Sequence, residues 1–421
     1  MPKGDSLVEG GVAIEEGKIK AVSKKGSLPR ADKTIDLDGS VLLPGVVDPH
    51  VHFREPGMIE KEDFFTGSCA AVAGGVTTVC EMPNTSPPTD TLDRFEKKKE
   101  IVERKALVDF GLHGLLSGSP KNEEDLLDAG TVSLKLYPEN WESADFSSLD
   151  GEGHVLAVHP ENPLVLKEDA LVSDDVEGFL NSRPREAEVS GIEEILNTVS
   201  DFHIHLCHVT AREALDSIKK GKRARKVTAE ASPHHLLLDQ SSLEKHGAVS
   251  KTYPPLRTEM DRNALIEALE SGLIDIVATD HAPHTRQEKD RGMADAPGGI
   301  AGIETSLPLM FTLFRRGRLS LSRMVDAMCR RPASIFGLRN DEGVLKGTIQ
   351  EGADADLVAL DQDRKWEIRG EDLHGKTKFT PFEGREVVGK PFLTLIRGEV
   401  VFKEGEIVGR KGHGKFVPRR A

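Results

Sequence analysis

Eight short apolar runs, each followed by a helical or loop stretch, constrain this chain more than any other feature. They are VVDPHVHF, TTVCEMPN, VDFGLHGLL, TVSLKLY, VLAVHPE, HIHLCHVT, KVTAEASPHH and IDIVATDHAPH. Runs this short and this apolar read as strands buried on both faces, as in a parallel sheet. Between them, VSGIEEILNTVSDF, AREALDSIKKG and DRNALIEALESG repeat their apolar residues at helical spacing. Eight strands alternating with helices predict a (β/α)8 barrel of the TIM type. An open doubly wound sheet is the alternative, but it would more usually carry a Gly-rich dinucleotide loop after its first strand, and none follows here.

The two ends of the chain read differently, as short β segments broken by Gly turns: GGVAIEEGKIKAVSKKG near the start, FLTLIRGEVVFKEGEIVG near the end. Residues 1–43 together with 339–421 are therefore expected to form one small β-sandwich domain, leaving 44–338 as the catalytic barrel. A chain of 421 residues is long enough for that division. The charge run RFEKKKEIVERK, from Arg94 to Lys105, reads most simply as the solvated face of a helix.

Lys+Arg 56 against Asp+Glu 70 gives a net charge of -14, which speaks against a nucleic-acid or anionic-membrane binder and for a small-molecule partner. Four scattered cysteines without a CxxC pair fit a reducing cytoplasm. The opening MPKGDSLVEGG has no apolar core of a signal peptide, and no apolar segment approaches the length of a membrane span. A soluble cytoplasmic protein is expected.

The chemistry is suggested by position. His50 and His52, Asn84, Lys135, His159, His208, Glu230 and Asp280 all fall at the C-terminal ends of apolar runs, the ends that converge on the active face of a barrel. In DPHVHFREPG, the period of a strand points His50 and His52 to one side, where two imidazoles can grip a transition metal, and Arg54 adds a charge for an anionic substrate. Taken singly, His159 or His208 reads more readily as a hydrogen-bonded core histidine. As a set, the strand-end residues point to a metal site. Lys135 is either a strand-end lysine reaching for water or, with carbon dioxide added to its amine, a carbamate able to bridge two metal ions. Asp280 has a bland reading as an arginine partner or a cap. Beside His281 and near His284 it suits a ligand that also moves protons.

The ordered set DPHVHFREPG, EMPNTSPP, SLKLY, AVHPEN, LCHVT, ASPHHLLL, YPPLR and ATDHAPHT, with the later TPFEG, resembles the cyclic-amidohydrolase branch of the amidohydrolase superfamily, and within it the class I dihydroorotases. The resemblance covers nearly the whole chain. It implies a zinc-dependent, reversible cyclisation of N-carbamoyl-L-aspartate to L-dihydroorotate with loss of water, a step of de novo pyrimidine biosynthesis. It also implies two Zn2+ per subunit, one held by His50, His52, carboxylated Lys135 and Asp280, the other by Lys135, His159 and His208. Asp280 would shuttle the proton. Arg54, Asn84 and His284 would hold the substrate carboxylate, His52 would also face the substrate, and the backbone of Gly298 and Gly299 would contact the ring. Some relatives bind a further zinc through a Cys and a Glu that correspond to Cys207 and Glu230. Tyr253 stands where the family commonly has Asn before Pro-Pro-Leu-Arg. A homo-oligomer, or a complex with another pyrimidine-pathway enzyme, is compatible with the resemblance. An allantoinase- or hydantoinase-type enzyme is the nearest alternative, and an inactive scaffold homologue is the other. All six implied ligands are present, which weighs against a scaffold.

Overall fold

A computed structural model describes residues 1–144, 146, 151–167 and 174–420. Every one of the eight apolar runs contains a strand: β1 (Val46–Val51), β2 (Val76–Glu81), β3 (Asp109–Leu112, resuming at Gly114–Leu115), β4 (Leu134–Leu136), β5 (Val155–Val158), β6 (His203–Leu206), β7 (Val227–Ala231) and β8 (Ile276–Val277). Consecutive strands pair in parallel from β1 through to β8. The ring closes just beyond the strand ends, where Val51 bridges His281 in parallel and the His52 N–H donates to the His281 carbonyl at 2.8 Å. All eight strands are buried along their whole length, which is why the runs lack polar alternation.

Helices on the outside carry ordinary start signals. In α1 (Phe64–Ala73) the Asp63 side chain accepts from the N–H groups of Phe65 and Thr66. In α2 (Leu92–Lys105) Thr91 caps the start, Asp93 lies in the first turn and Arg104 and Lys105 in the last, in accord with the helix dipole. The Arg94–Lys105 run does form a helix with a largely solvated face, and a second, buried face accompanies it. Phe95, Lys98 and Val102 form a single buried stripe at helical spacing, and Lys98 is only 1 % exposed.

A five-stranded antiparallel sheet lies outside the barrel. Its order is Glu406–Ile407, Glu399–Lys403, Glu386–Ile396, Leu357–Glu367 and, from the other end of the chain, Val41–Pro44. Its inner face packs Leu42, Leu357, Ala359, Leu393 and Leu395 together with Ile19 of the Lys18–Ser23 strand. At the junction with the barrel, the buried Lys346 ammonium lies 2.5 Å from Asp109, 2.7 Å from Asp354 and 2.8 Å from Asp356. The chain then turns back to the barrel. The Phe110 N–H donates to the Lys415 carbonyl and the Val417 N–H to the Phe110 carbonyl, so a late segment pairs with β3. Val417 joins Val47, Cys80, Val132, Val155, Ile276 and Phe336 in the cluster that fills the barrel base. No helix among the described residues is long and apolar enough to cross a membrane.

Candidate active site

At the C-terminal ends of the strands lies a cavity of 1040 Å³, whose wall includes His50, His52, Arg54, Asn84, Tyr137, His159, Arg183, His208, Tyr253, Asp280, Gly298 and Gly299. The strands deliver these side chains and the loops after them set the angles. Arg54, His208 and Asp280 have left-handed backbones, with φ of 65°, 31° and 46°. Three non-glycine residues held in that sparsely populated region at one cavity is the kind of local strain that surrounding structure must enforce.

His50, His52 and Asp280 form one cluster whose ligand atoms all lie within 4.8 Å of one another. Asp280 Oδ1 is 3.3 Å from His50 Nε2 and 3.1 Å from His52 Nε2. The far nitrogen of each ring is occupied: His50 Nδ1 lies 2.5 Å from Glu230 Oε1, and His52 Nδ1 lies 2.7 Å from Asn84 Oδ1. Both acceptors fix the proton on Nδ1, so each Nε2 offers its lone pair inwards. His159 has the opposite arrangement, with Nε2 at 2.7 Å from the buried Glu161 and no hydrogen bond to Nδ1 among the described residues. His208 packs edge-on against it with ring centroids 4.5 Å apart, and its buried Nδ1 has no hydrogen-bond partner among the described residues.

The electrostatics favour a cation at this point. Burial opposes charge on His50, yet Glu230 and Asp280 push its pKa up to about 10. Burial also opposes charge on Asp280, and His50 and His52 hold its carboxyl well below the usual carboxylate range. His52, with burial as the largest influence, falls to about 4. Inward-facing imidazoles beside a committed carboxylate are a donor set that suits a divalent transition metal, which would take the place of the His50 proton.

Lys135 lies beneath the cavity wall, fully buried. Among the described residues its only hydrogen-bond partner is Cys207 Sγ at 2.8 Å, and none of their carboxylates lies within ion-pair distance. Cys207 and Glu230 form a second cluster with His50. Glu230 there accepts from three donors, the rings of His50 and His205 and the His208 N–H.

Two residues after His52 in the same wall, Arg54 is 7 % exposed. Its hydrogen bonds run to the Pro283 carbonyl at 3.1 Å and His284 Nε2 at 3.0 Å, and among the described residues no carboxylate lies within 4 Å of it. His284 thus stands behind Arg54 rather than in the wall. Gly298 and Gly299 are fixed by sterics: a Cβ at Gly299 would meet the Ala282 carbonyl oxygen at 2.4 Å, and one at Gly298 the Tyr253 ring at 2.8 Å. Tyr253 packs under the Arg183 guanidinium, 3.9 Å from its ring centroid, and Arg183 also pairs with Glu161.

Sequence reasoning missed Tyr137, Glu161 and Arg183. Tyr137 lines the cavity with a buried hydroxyl that lacks a partner among the described residues. It lies two positions after Lys135, and strand alternation was the signal that marks it. Glu161 follows His159 by the same spacing. Arg183 gave no local signal.

Residues 41–401 match the Amidohydrolase family. A dihydroorotase of Methanosarcina acetivorans is 37 % identical, over 98 % of this chain and 92 % of its own length. One of Methanothermobacter thermautotrophicus is 39 % identical, over 97 % and 94 %. Among solved structures, an L-hydantoinase (dihydropyrimidinase) from Arthrobacter aurescens superposes with a TM-score of 0.90 at 34 % identity, covering 99 % of this chain and 97 % of that one. With a closed eight-stranded parallel barrel and polar residues gathered at its strand ends, the chain belongs to the amidohydrolase family.

Proposed function

We propose that this chain is a metal-dependent dihydroorotase, interconverting N-carbamoyl-L-aspartate and L-dihydroorotate with release or uptake of water. The observation that carries this reading over a hydantoinase or allantoinase is Arg54, a buried guanidinium in the cavity wall with no carboxylate of its own among the described residues. Glu81 and Asp280 support this cation from beyond ion-pair distance, and with no carboxylate in direct contact it favours a ligand that brings an anion, as the ring carboxylate of dihydroorotate does and a neutral hydantoin does not. Full-length likeness to dihydroorotases supports the same choice.

His50, His52, Asp280 and carboxylated Lys135 would hold one zinc ion, and Lys135, His159 and His208 a second. The inward lone pairs of His50 and His52 fit this assignment, and so does a buried lysine amine without a carboxylate partner among the described residues. When bound, zinc would supply an acidified water and a polarised carbonyl. Glu230 and Glu161 orient His50 and His159. Asn84 accepts from His52 through Oδ1, so its amide N–H groups face the substrate carboxylate beside Arg54, which His284 steadies. Gly298 and Gly299 bring backbone close to the ring. Tyr137 donates its free hydroxyl to a substrate oxygen. In the hydrolytic direction Asp280 takes a proton from the attacking water and returns it to the departing amide nitrogen; ring closure reverses both transfers. Catalysis is assigned to residues 44–338, with 1–43 and 339–421 as the bracing β unit.

Turnover of L-dihydroorotate, hydantoin and allantoin by the zinc-loaded protein tests this reading. Dihydroorotate is expected to be the preferred substrate by kcat/KM. Preference for a neutral ring would overturn it.

A further inference from the structure

Lys98 is a fully buried charge, 1 % exposed, that the proposed chemistry does not use. It sits on the inner stripe of α2, and its ammonium enters the loop that follows β2. There it donates to the Met82 carbonyl at 2.8 Å and reaches the hydroxyls of Thr85 and Thr89, each at 3.4 Å. These three residues bracket Asn84. The Thr89 N–H in turn donates to the Pro83 carbonyl, so the loop from 82 to 89 closes around one cation.

The counter-charge is Glu81, also 1 % exposed, with Oε1 at 3.7 Å from the ammonium. Its other oxygen accepts from the Phe53 N–H at 2.8 Å. Phe53 is the residue between His52 and Arg54, and the Met82 N–H donates to the Val51 carbonyl on the same side. One buried ion pair therefore ties together the two loops that carry Arg54 and Asn84. Surface helices place lysines outwards, and an ammonium that is desolvated and shared among a carbonyl, two hydroxyls and a carboxylate is a fixed point rather than a solvated charge.

We propose that Lys98, through Glu81, is a positioning residue for substrate binding: it sets the spacing of Arg54 and Asn84 and thereby the affinity for the substrate carboxylate. This rests on the reading of Arg54 and Asn84 as the carboxylate-binding pair. The ion pair touches the loop backbones and not the inward nitrogens of His50 and His52, so its loss should fall on KM.

The test uses the zinc-loaded enzyme. Lys98→Met should raise KM for dihydroorotate about tenfold or more, with kcat within about twofold and zinc per chain unchanged. Glu81→Gln keeps the acceptor for Phe53. The double variant Lys98→Met/Glu81→Gln, which leaves neither member of the pair charged without the other, should show the same KM defect. An unchanged KM in Lys98→Met overturns the inference, as does a parallel fall of kcat and zinc content. If Lys98→Met does not fold, the double variant decides by the same criteria, and its failure to fold would make the pair merely structural. Arg54→Met separates the two levels. If it leaves KM unmoved, the carboxylate-binding reading itself fails. If it raises KM while Lys98→Met does not, only the positioning role is lost.

Discussion

Two buried lysines mark opposite poles of the molecule. Lys346, at the junction of barrel and antiparallel sheet, has three carboxylates within 2.8 Å. Burial opposes its charge, but Asp109, Asp356 and Asp354 raise its pKa well above the ordinary lysine value. Lys135, at the catalytic pole, has a thiol. Both are desolvated, yet only the first is compensated within the described residues. A fully matched buried charge has nothing left to offer and serves cohesion. An unmatched one is kept available for a ligand or a covalent change. Arg54 follows the second pattern, while Asp261, held by Arg185 and Thr258, follows the first.

The strongest test of this contrast is Lys135→Ala. Turnover should fall on the order of 10⁴-fold with loss of bound zinc, and short carboxylic acids such as acetate should restore part of both. Unchanged zinc content would place Lys135 with the structural charges. Lys346→Met should do the reverse. Removing the cation from three carboxylates, two of them fully buried, should cost about 3 to 5 kcal/mol in urea unfolding, while the folded fraction keeps its specific activity. A smaller and pH-dependent effect is expected at Asp261. Burial works against its charge, but Arg185 and Thr258 hold its pKa down to about 2. A depressed carboxylate pKa gives stability that is present above the unfolded value of about 4 and lost as pH falls through the folded value. The native protein should therefore lose about 2 kcal/mol between pH 4 and pH 2 that Asp261→Asn does not lose. Equal acid sensitivity of the two proteins would remove Asp261 from the matched group.

Much of this was legible in the sequence because burial on both faces writes itself into apolar runs, and because polar residues at the ends of such runs are conspicuous. His50, His52, His159, His208 and Asp280 all reach one cavity wall for that reason. The opacity lies where contacts depend on loops. Arg183 reaches Glu161 across a long excursion of chain, which no periodicity encodes. Lys98 was hidden for another reason. Its neighbours Lys97 and Lys99 are partly or largely exposed, and the run as a whole looked solvated, although Phe95 and Val102 already marked the inner stripe. Composition concealed what helical spacing had shown.

The return of residues 414–417 to β3 has a consequence for how the protein is made. Lys415 donates to the side chain of Asp109 across a separation of 306 residues, and Val417 helps to plug the barrel base. The barrel strands are synthesised long before this plug. A nascent chain still held on the ribosome short of Val417 carries a nearly complete barrel with an open floor, so the final closure of the base waits for translation of this late segment.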